Sequence, residues 1–410
     1  MRQLDSGYYY DIRVHRLYKK NLPSDKLNTD DNFHKVWKDR TPIIKKRHAR
    51  RVVLLLSNSC NLACSYCYAS KGSYGKQCVN RIKSDEIDDI LQFLEKQFPE
   101  GIEQIQFFGG EPLLEPKAMD YICNYLESSD VFYNTEKGMV TNGTIVNEEI
   151  LSMMKRHNLS ITVSVDGTEK YHDTYRRFKM GNRGSYDLVT KNIVRMIEAG
   201  VKVYVQFTIS AAMIDDYEAG LVKPGEIAEN FAELGIDYIH LSPVIAPKKS
   251  QFHFSSHQMD VLLKFQQELM YAFKKSRITD SGTFRTHDFL RNKVCNKAYC
   301  GAGLDEISID MDGTIYPCFM FVNNKDFILG SITQGIVNNK LMKTLENNRK
   351  DRNANCSGCF VKDVCNACVG ANYIENGDIY APSKVLCSFQ DNAYFTAVNQ
   401  IIEKIIGRNN

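Results

Sequence analysis

No apolar run in the chain approaches the roughly 18 residues that a membrane span needs, and its start, Met1-Arg-Gln-Leu-Asp-Ser-Gly-Tyr-Tyr-Tyr10, lacks the apolar segment of a signal peptide. Nothing repeats at solenoid periods, and no low-complexity linker interrupts the sequence. No nucleic-acid motif or aromatic-basic interleaving is present either. These absences argue against membrane-spanning, secreted and repeat architectures. They lead to the expectation of a cytoplasmic protein with neither a membrane nor a nucleic acid as partner.

What remains is a composition 43% hydrophobic and 25% charged over 410 residues, enough for two or three domains with a large core. The net charge of +3 hides an asymmetry, since residues 1–51 carry 14 Lys or Arg against 6 Asp. This stretch, with Lys45-Lys46 and Arg47-His-Ala-Arg-Arg51, reads as a basic N-terminal arm, either a surface for an acidic partner or a solvated lead-in to the first strand. Cysteine is plentiful, at 13 residues. In a reducing compartment thiols in such number are metal ligands sooner than disulfides, and most of them fall into two groups. Cys78 and Cys123 lie outside both and read as ordinary buried thiols.

From residue 52 onward, apolar runs alternate with helical patterns, as repeated βα units on a parallel sheet do. Strands are expected near 52–56, 104–108, 138–141, 160–165, 202–209 and 237–242. Helices are expected over 84–95, with Ser84 as cap, and over 186–198, ended by Gly200. Six units suggest an open, partial barrel over 52–250, followed by a connecting helical segment over 251–294 with its helix near 255–275. Between Cys295 and Cys387 regular periodicity fades and cysteines dominate, so 295–390 reads as a metal-organised domain, with a C-terminal helix over 391–410.

The most informative stretch is Asn58-Ser-Cys-Asn-Leu-Ala-Cys-Ser-Tyr-Cys-Tyr68, directly after the first expected strand. Iron-sulfur clusters take four thiolates as a rule. Cys60, Cys64 and Cys67 supply three and leave one metal open, which is what distinguishes a reactive centre from a closed structural one. This CxxxCxxC pattern, with an aromatic before the last cysteine, resembles the signature of radical S-adenosylmethionine (SAM) enzymes. The resemblance implies an α/β partial (β/α)6 barrel and a 4Fe-4S cluster that binds SAM. It implies further that reductive cleavage of SAM gives a 5'-deoxyadenosyl radical able to take hydrogen from an unactivated carbon.

Other motifs follow at successive strand ends. Gly109-Gly110-Glu111-Pro112 offers glycines that let backbone approach a ligand and a carboxylate that can accept from an ammonium; it resembles the family motif that contacts the SAM amino group. Thr141-Asn142-Gly143 and Ser164-Val-Asp166-Gly167 stand where the family lines the SAM pocket, though Asn-Gly and Asp-Gly are also ordinary turn formers. Arg176 resembles the family arginine that approaches the SAM carboxylate, with Arg177 beside it as the confusable neighbour. Tyr66 and Tyr68 are candidates to pack on adenine or cover the cluster.

Downstream, Cys300, Cys318, Cys356, Cys359, Cys365, Cys368 and Cys387 resemble the seven-cysteine SPASM domain of radical SAM enzymes that act on peptides and proteins, and Cys295 adds an eighth. The resemblance implies two auxiliary 4Fe-4S clusters, one on Cys295, Cys300, Cys318 and Cys368, the other on Cys356, Cys359, Cys365 and Cys387. One departure is that two residues, where the family usually has three, separate Cys365 from Cys368. Zinc is the competing structural reading, because paired CxxC units also build zinc ribbons.

The class implied is a peptide maturase with a ribosomally made, cysteine-rich precursor as partner, an electron donor such as flavodoxin or ferredoxin, and a separate leader-binding protein as a further candidate. Sulfatase-maturing relatives carry an acidic residue directly after the cysteine of the glycine-containing segment, where this chain has Phe319. Thioether formation from a cysteine sulfur is therefore expected. Carbon-carbon crosslinking, epimerisation, formylglycine formation and, outside enzymology, a metal-cluster sensor stand as alternatives. No catalytic acid or base is legible.

Overall fold

The computed structural model describes residues 2–3, 9–11, 16–18, 38–43 and 47–406. Strands β1 (Arg2–Gln3), β2 (Tyr9–Asp11) and β3 (Arg16–Tyr18) form a small antiparallel sheet, and β4 is Lys38–Asp39. The body is built on β5 (Ala49–Leu55), β6 (Ile102–Phe108), β7 (Glu136–Thr141), β8 (Ser160–Val165), β9 (Lys202–Ile209) and β10 (Tyr238–Pro243). All six run parallel in sequence order, joined by helical crossovers.

Alternation along these strands divides the sheet's two faces. Val52, Leu54, Ile105, Phe107, Ile161, Val163, Val205, Phe207, Ile239 and Leu241 are buried in the main core, against helices that include Ser84–Gln97 and Tyr186–Glu198. The opposite face carries Gln104, Gln106, Ser160, Thr162, Ser164, Tyr204, Gln206, Tyr238, His240 and Ser242, all only half-buried. The main core packs on one face, and the opposite face is polar, covered at β10 by helix Ser281–Asn292, whose Phe284 lies 6.0 Å from Tyr238 and whose Ser281 bonds His240 at 2.7 Å.

Two local expectations change. Ser84 is the first helical residue, not the cap: Lys83 occupies that place, and the Glu86 carboxylate turns back to accept from the Lys83 N–H at 2.7 Å. Helix Tyr186–Glu198 ends as expected, with Gly200 at φ +80°.

The larger difference is that the sheet does not stop with the sixth unit. After the connecting helix Ser256–Lys275, β11 (Thr279–Asp280) adds to β10. On the other side, β13 (Glu306–Ile309) pairs in parallel with β5, placing Ile307 opposite Val52. Strands β14 (Thr314–Tyr316), β15 (Gly330–Ser331) and β16 (Gly335–Ile336) then continue it antiparallel to an eleven-stranded sheet. A boundary at 295 thus crosses a continuous sheet, because the apolar Ile307 and Ile309 supply β5 with a neighbour. β12 (Val294–Cys295) pairs separately with β4. The last helix, Lys384–Ile406, begins before 391 and carries Cys387.

The described arginines of the basic run leading into β5 are paired within the chain. Arg47 meets Glu100 at 2.7 Å, Arg50 meets Asp305 and Glu306, and Arg51 meets Glu306 at 2.6 Å. Lys45 and Lys46 lie outside the described residues. Among the described residues no helix is long and apolar enough to cross a membrane.

Candidate active site

The cysteine loop leaves the carboxyl end of β5 and is clamped from two directions. On one side, the Gly110 N–H donates to Ser57 O and the Glu111 N–H to Ser59 O, both at 2.8 Å. A Cβ on Gly110 would stand 2.2 Å from Ser59 O, and one on Gly109, at φ +141°, 2.4 Å from Ser57 O. The glycines therefore admit the cysteine loop itself, a different use from the approach to a ligand expected above. On the other side, Ala63 N donates to Arg177 O at 2.8 Å, Ser65 N to Tyr175 O at 3.1 Å, and Lys179 N to Asn61 O at 2.9 Å. The segment 175–179, singled out in the sequence only for Arg176, is thus also a second wall of the loop.

Glu111 is buried beneath the loop, before the short turn Pro112–Leu114. Its carboxylate accepts from the Thr141 hydroxyl at 2.7 Å, the Asn142 N–H at 2.8 Å and the Leu113 N–H at 3.0 Å. Burial raises its pKa to about 7 despite these donors. The Asn142 amide donates to Cys60 Sγ at 3.6 Å and to Asn61 Oδ1 at 2.8 Å. Thr141 and Asn142 therefore tie the Glu111 carboxylate to the cysteine loop.

A second buried set stands beside Cys64. Asp166 accepts from Arg176 Nε at 2.8 Å and from the Tyr66 hydroxyl, while Arg176 also donates to Thr208 Oγ1 at 3.3 Å and lies over the Tyr66 ring at 5.5 Å. Tyr66 packs on Tyr175 and Phe252. Arg176 and Arg177 separate clearly: the first caps helix Glu169–Tyr175 and turns inward, the second is exposed and donates to Asp173 O and Asn182 O. Burial followed by the Arg176 charge depresses the His172 pKa, so that ring is a neutral strut between the Asp166 N–H and Ser185. Ser164 faces the open polar side of β8. Gly143 and Gly167 take φ of +72° and +73°, as turn glycines do.

An aromatic cluster leads from this loop to the C-terminal cysteines. Phe319 lies 4.6 Å from Phe108 and 6.2 Å from Tyr68, and Tyr68 lies 6.4 Å from Tyr74, whose hydroxyl donates to Gly109 O. Cys67 packs against the same cluster. The position after Cys318 is therefore filled by a packed ring.

The C-terminal thiols form two groups. Cys300, Cys318 and Cys368 act electrostatically on one another, with Arg51 as their nearby cation; Cys368 caps helix Val369–Asn376, its sulfur accepting from Ala371 N at 3.4 Å. Cys356, Cys359, Cys365 and Cys387 form the second group. Cys368 thus acts on Cys300 and Cys318, whereas the other three members of the two CxxC units act on Cys387. Among the described residues no three Cys, His, Asp or Glu side chains converge as a single ion requires.

Cys295 has different neighbours. It lies on β12, its thiol against Lys38 O at 3.7 Å, and the charges acting on it are Asp39, Asp363, Lys297 and Lys350 rather than the first trio. Pairing of β12 with β4 directs it there. Cys123 is buried as expected, but Cys78 is exposed: its loop is held through the main chain, Cys78 O accepting from Asn58 Nδ2 at 2.8 Å.

The donors suit iron-sulfur clusters. All 13 cysteines are free, and burial pushes Cys60 up to about 12 and Cys64 and Cys368 up to about 11. Thiolates there need a cation that Arg176, beside Cys64, and Arg51, beside Cys368, supply only in part. N–H donors reach the sulfurs of Cys60, from Leu62 at 3.4 Å, and of Cys368, the kind of hydrogen bonding that tunes such clusters.

Comparison with known proteins gives the same organisation. Residues 54–216 match the Radical SAM superfamily and residues 300–360 match SPASM, an iron-sulfur cluster-binding domain. The chain is 24% identical over 378 residues to the antilisterial bacteriocin subtilosin biosynthesis protein AlbA of Bacillus subtilis, covering 85% of this chain and 72% of AlbA. It is 24% identical over 382 residues to the radical SAM cyclopropyl synthase TigE of Paramaledivibacter caminithermalis, covering 87% and 74%. The solved structure of anSMEcpe with bound AdoMet superposes with a TM-score of 0.70 at 15% identity, covering 87% of this chain and 95% of that one, which establishes the shared fold. With the cysteine loop at the end of β5, its clamp, and the two C-terminal thiol groups in place, the chain is a radical SAM enzyme with a SPASM domain, which uses 4Fe-4S clusters and S-adenosyl-L-methionine.

Proposed function

We propose that the protein matures a ribosomally made, cysteine-rich peptide by joining a cysteine sulfur to a carbon of another residue. The observation that carries this reading is the trio Cys300, Cys318 and Cys368 with Cys295 held elsewhere. Three thiolates leave one coordination position for a ligand from outside the chain, and a substrate thiolate is the chemically matched candidate. Phe319, packed on Phe108, speaks against the acid-base chemistry of sulfatase maturation. Similarity to AlbA, a bacteriocin biosynthesis protein, supports a peptide substrate.

In this reading Cys60, Cys64 and Cys67 hold the cluster that binds SAM, which supplies on reduction the radical that takes a hydrogen atom. Glu111 accepts from the SAM ammonium, while Thr141 and Asn142 hold its carboxylate in place. Arg176 reaches the SAM carboxylate, and Asp166 and Tyr66 fix the guanidinium plane. Aromatic walls at Tyr66 and Phe252 keep water from the radical. The half-buried Gln106, Ser164, Gln206 and Ser242 line the open face along which an extended peptide lies. The peptide gives up one hydrogen atom from carbon, one proton from the thiol and one electron, and gains one carbon-sulfur bond. Flavodoxin or ferredoxin supplies the reducing electron, and a separate protein is the candidate to present the leader.

Anaerobic co-expression with a short cysteine-rich peptide encoded beside the gene tests this, by intact mass and alkylatable thiols. Loss of about 2 Da per vanished thiol that reduction does not restore is the expected result. A loss of about 2 Da with every thiol intact would replace the reading with carbon-carbon linkage, and unchanged mass with altered stereochemistry would replace it with epimerisation.

A further inference from the structure

The two C-terminal thiol groups differ in the charge placed beside them. Arg51, next to Cys300, Cys318 and Cys368, meets Glu306 at 2.6 Å within a set, Arg50, Arg51, Asp305 and Glu306, whose charges cancel. Lys350, next to Cys356, Cys359 and Cys365, is 2% exposed and forms no ion pair with a carboxylate among the described residues. Its ammonium donates to Cys365 O at 2.6 Å, and its own N–H to Lys297 O at 2.8 Å, so both side chain and backbone are fixed. Asp363 acts on it at longer range.

A buried ammonium without a carboxylate is costly unless another negative group compensates it. Cysteine thiolates around an iron-sulfur cluster are such a group: Cys365, Cys356 and Cys359 act on Lys350 together with Asp363, and Cys295 also lies within reach of its charge. The potential of a cluster follows its net charge, its hydrogen bonds and its exposure. A fixed positive charge stabilises the reduced, more negative state more than the oxidised one, and in a low-dielectric setting it does so strongly.

We infer that Lys350 is the built-in counter-ion of the Cys356, Cys359, Cys365 and Cys387 quartet, and that its charge raises the reduction potential of the cluster those thiolates hold. The quartet is then the place where the electron released by the substrate comes to rest, having entered at the trio beside the neutral Arg51–Glu306 pair. Lys350 touches no reacting atom and is a positioning residue for charge. The inference needs cluster ligation by the quartet but not thioether chemistry, and potentiometry without peptide keeps the two separate.

The experiment is an anaerobic redox titration followed by electron paramagnetic resonance, on the full chain with Cys60, Cys64 and Cys67 replaced by Ala so that the auxiliary signals stand alone. Lys350→Gln keeps a donor and removes the charge; Lys350→Arg keeps the charge. The expected result is one midpoint shifted to lower potential in Lys350→Gln, the other midpoint unmoved, and Lys350→Arg matching the parent. Equal midpoints in all three proteins, or equal shifts in both variants, would overturn the inference. Should Lys350→Gln lose the quartet's iron while Lys350→Arg retains it, the charge is required to hold the cluster and the counter-ion role stands. Loss of iron in both would reduce Lys350 to packing and overturn it.

Discussion

The N-terminal cysteine loop and the C-terminal cysteine region hold thiols by opposite means. In the loop, three cysteines fall within eight residues, and their geometry is set by backbone meeting backbone: Gly110 against Ser59, the 175–179 segment against 61–65. In the C-terminal region the partners come from far apart, Cys318 from the end of β14, Cys368 from a helix cap and Cys387 from the last helix. A local motif fixes the first; only the completed fold fixes the second. The loop should thus be intolerant of any added atom, whereas the C-terminal groups should depend on charge and on which thiols the chain delivers.

Removing a ligand from the loop is the sharpest way to separate the two. Cys64→Ala should abolish SAM cleavage while the iron of the C-terminal region is retained, as read by cleavage assay and iron content. Gly110→Ala comes next: its methyl would sit 2.2 Å from a backbone oxygen that cannot rotate away, a clash expected to cost about 1–3 kcal/mol or more. The melting temperature should fall and loop-bound iron should be lost with the C-terminal iron intact; a variant of parental stability and iron content would break the comparison.

Charge supplies a gentler test. Burial raises the Glu111 pKa from the ordinary glutamate value, about 4.3, to about 7. The folded protein therefore binds more protons than the unfolded chain between those values, and this group's contribution to stability falls as pH rises through that window. SAM, whose ammonium prefers the ionised carboxylate, should bind more weakly by up to about tenfold for each pH unit below about 7. Calorimetry across pH reads this, together with a proton released on binding near pH 6; Glu111→Gln should flatten both. The smallest effect belongs to Cys295→Ala, which should retain full iron and SAM cleavage with a stability cost of about 1 kcal/mol. Loss of an auxiliary cluster would return Cys295 to the trio and remove the open position.

Most of the fold was legible because hydrophobic periodicity reports it: all six strands of the barrel lie within a few residues of the stretches where apolar alternation places them. The glycines and Glu111 were legible as a motif, but their immediate contacts were not. Gly109 and Gly110 fit a neighbouring loop, a contact between sequence-distant backbones that no single stretch encodes. Thr208 and Phe252 were missed for a related reason: each is an ordinary strand or loop residue until the sheet curves it toward Arg176 and Tyr66. Cys295 reads as a ligand because it lies just upstream of Cys300, and its pairing through β12 with Lys38–Asp39 joins distant stretches that the sequence does not show together.

The pairing of β13 with β5 carries one more consequence. β5 is the strand that launches the reactive loop, and without β13 it would be the sheet's edge, with a row of open hydrogen-bonding groups ready to recruit another chain. By supplying that neighbour from residues 306–309, the chain makes its own ending the guard against self-association of its beginning. It also binds unfolding of the two regions together, so that the strand bearing the loop loses its neighbour wherever the C-terminal region melts.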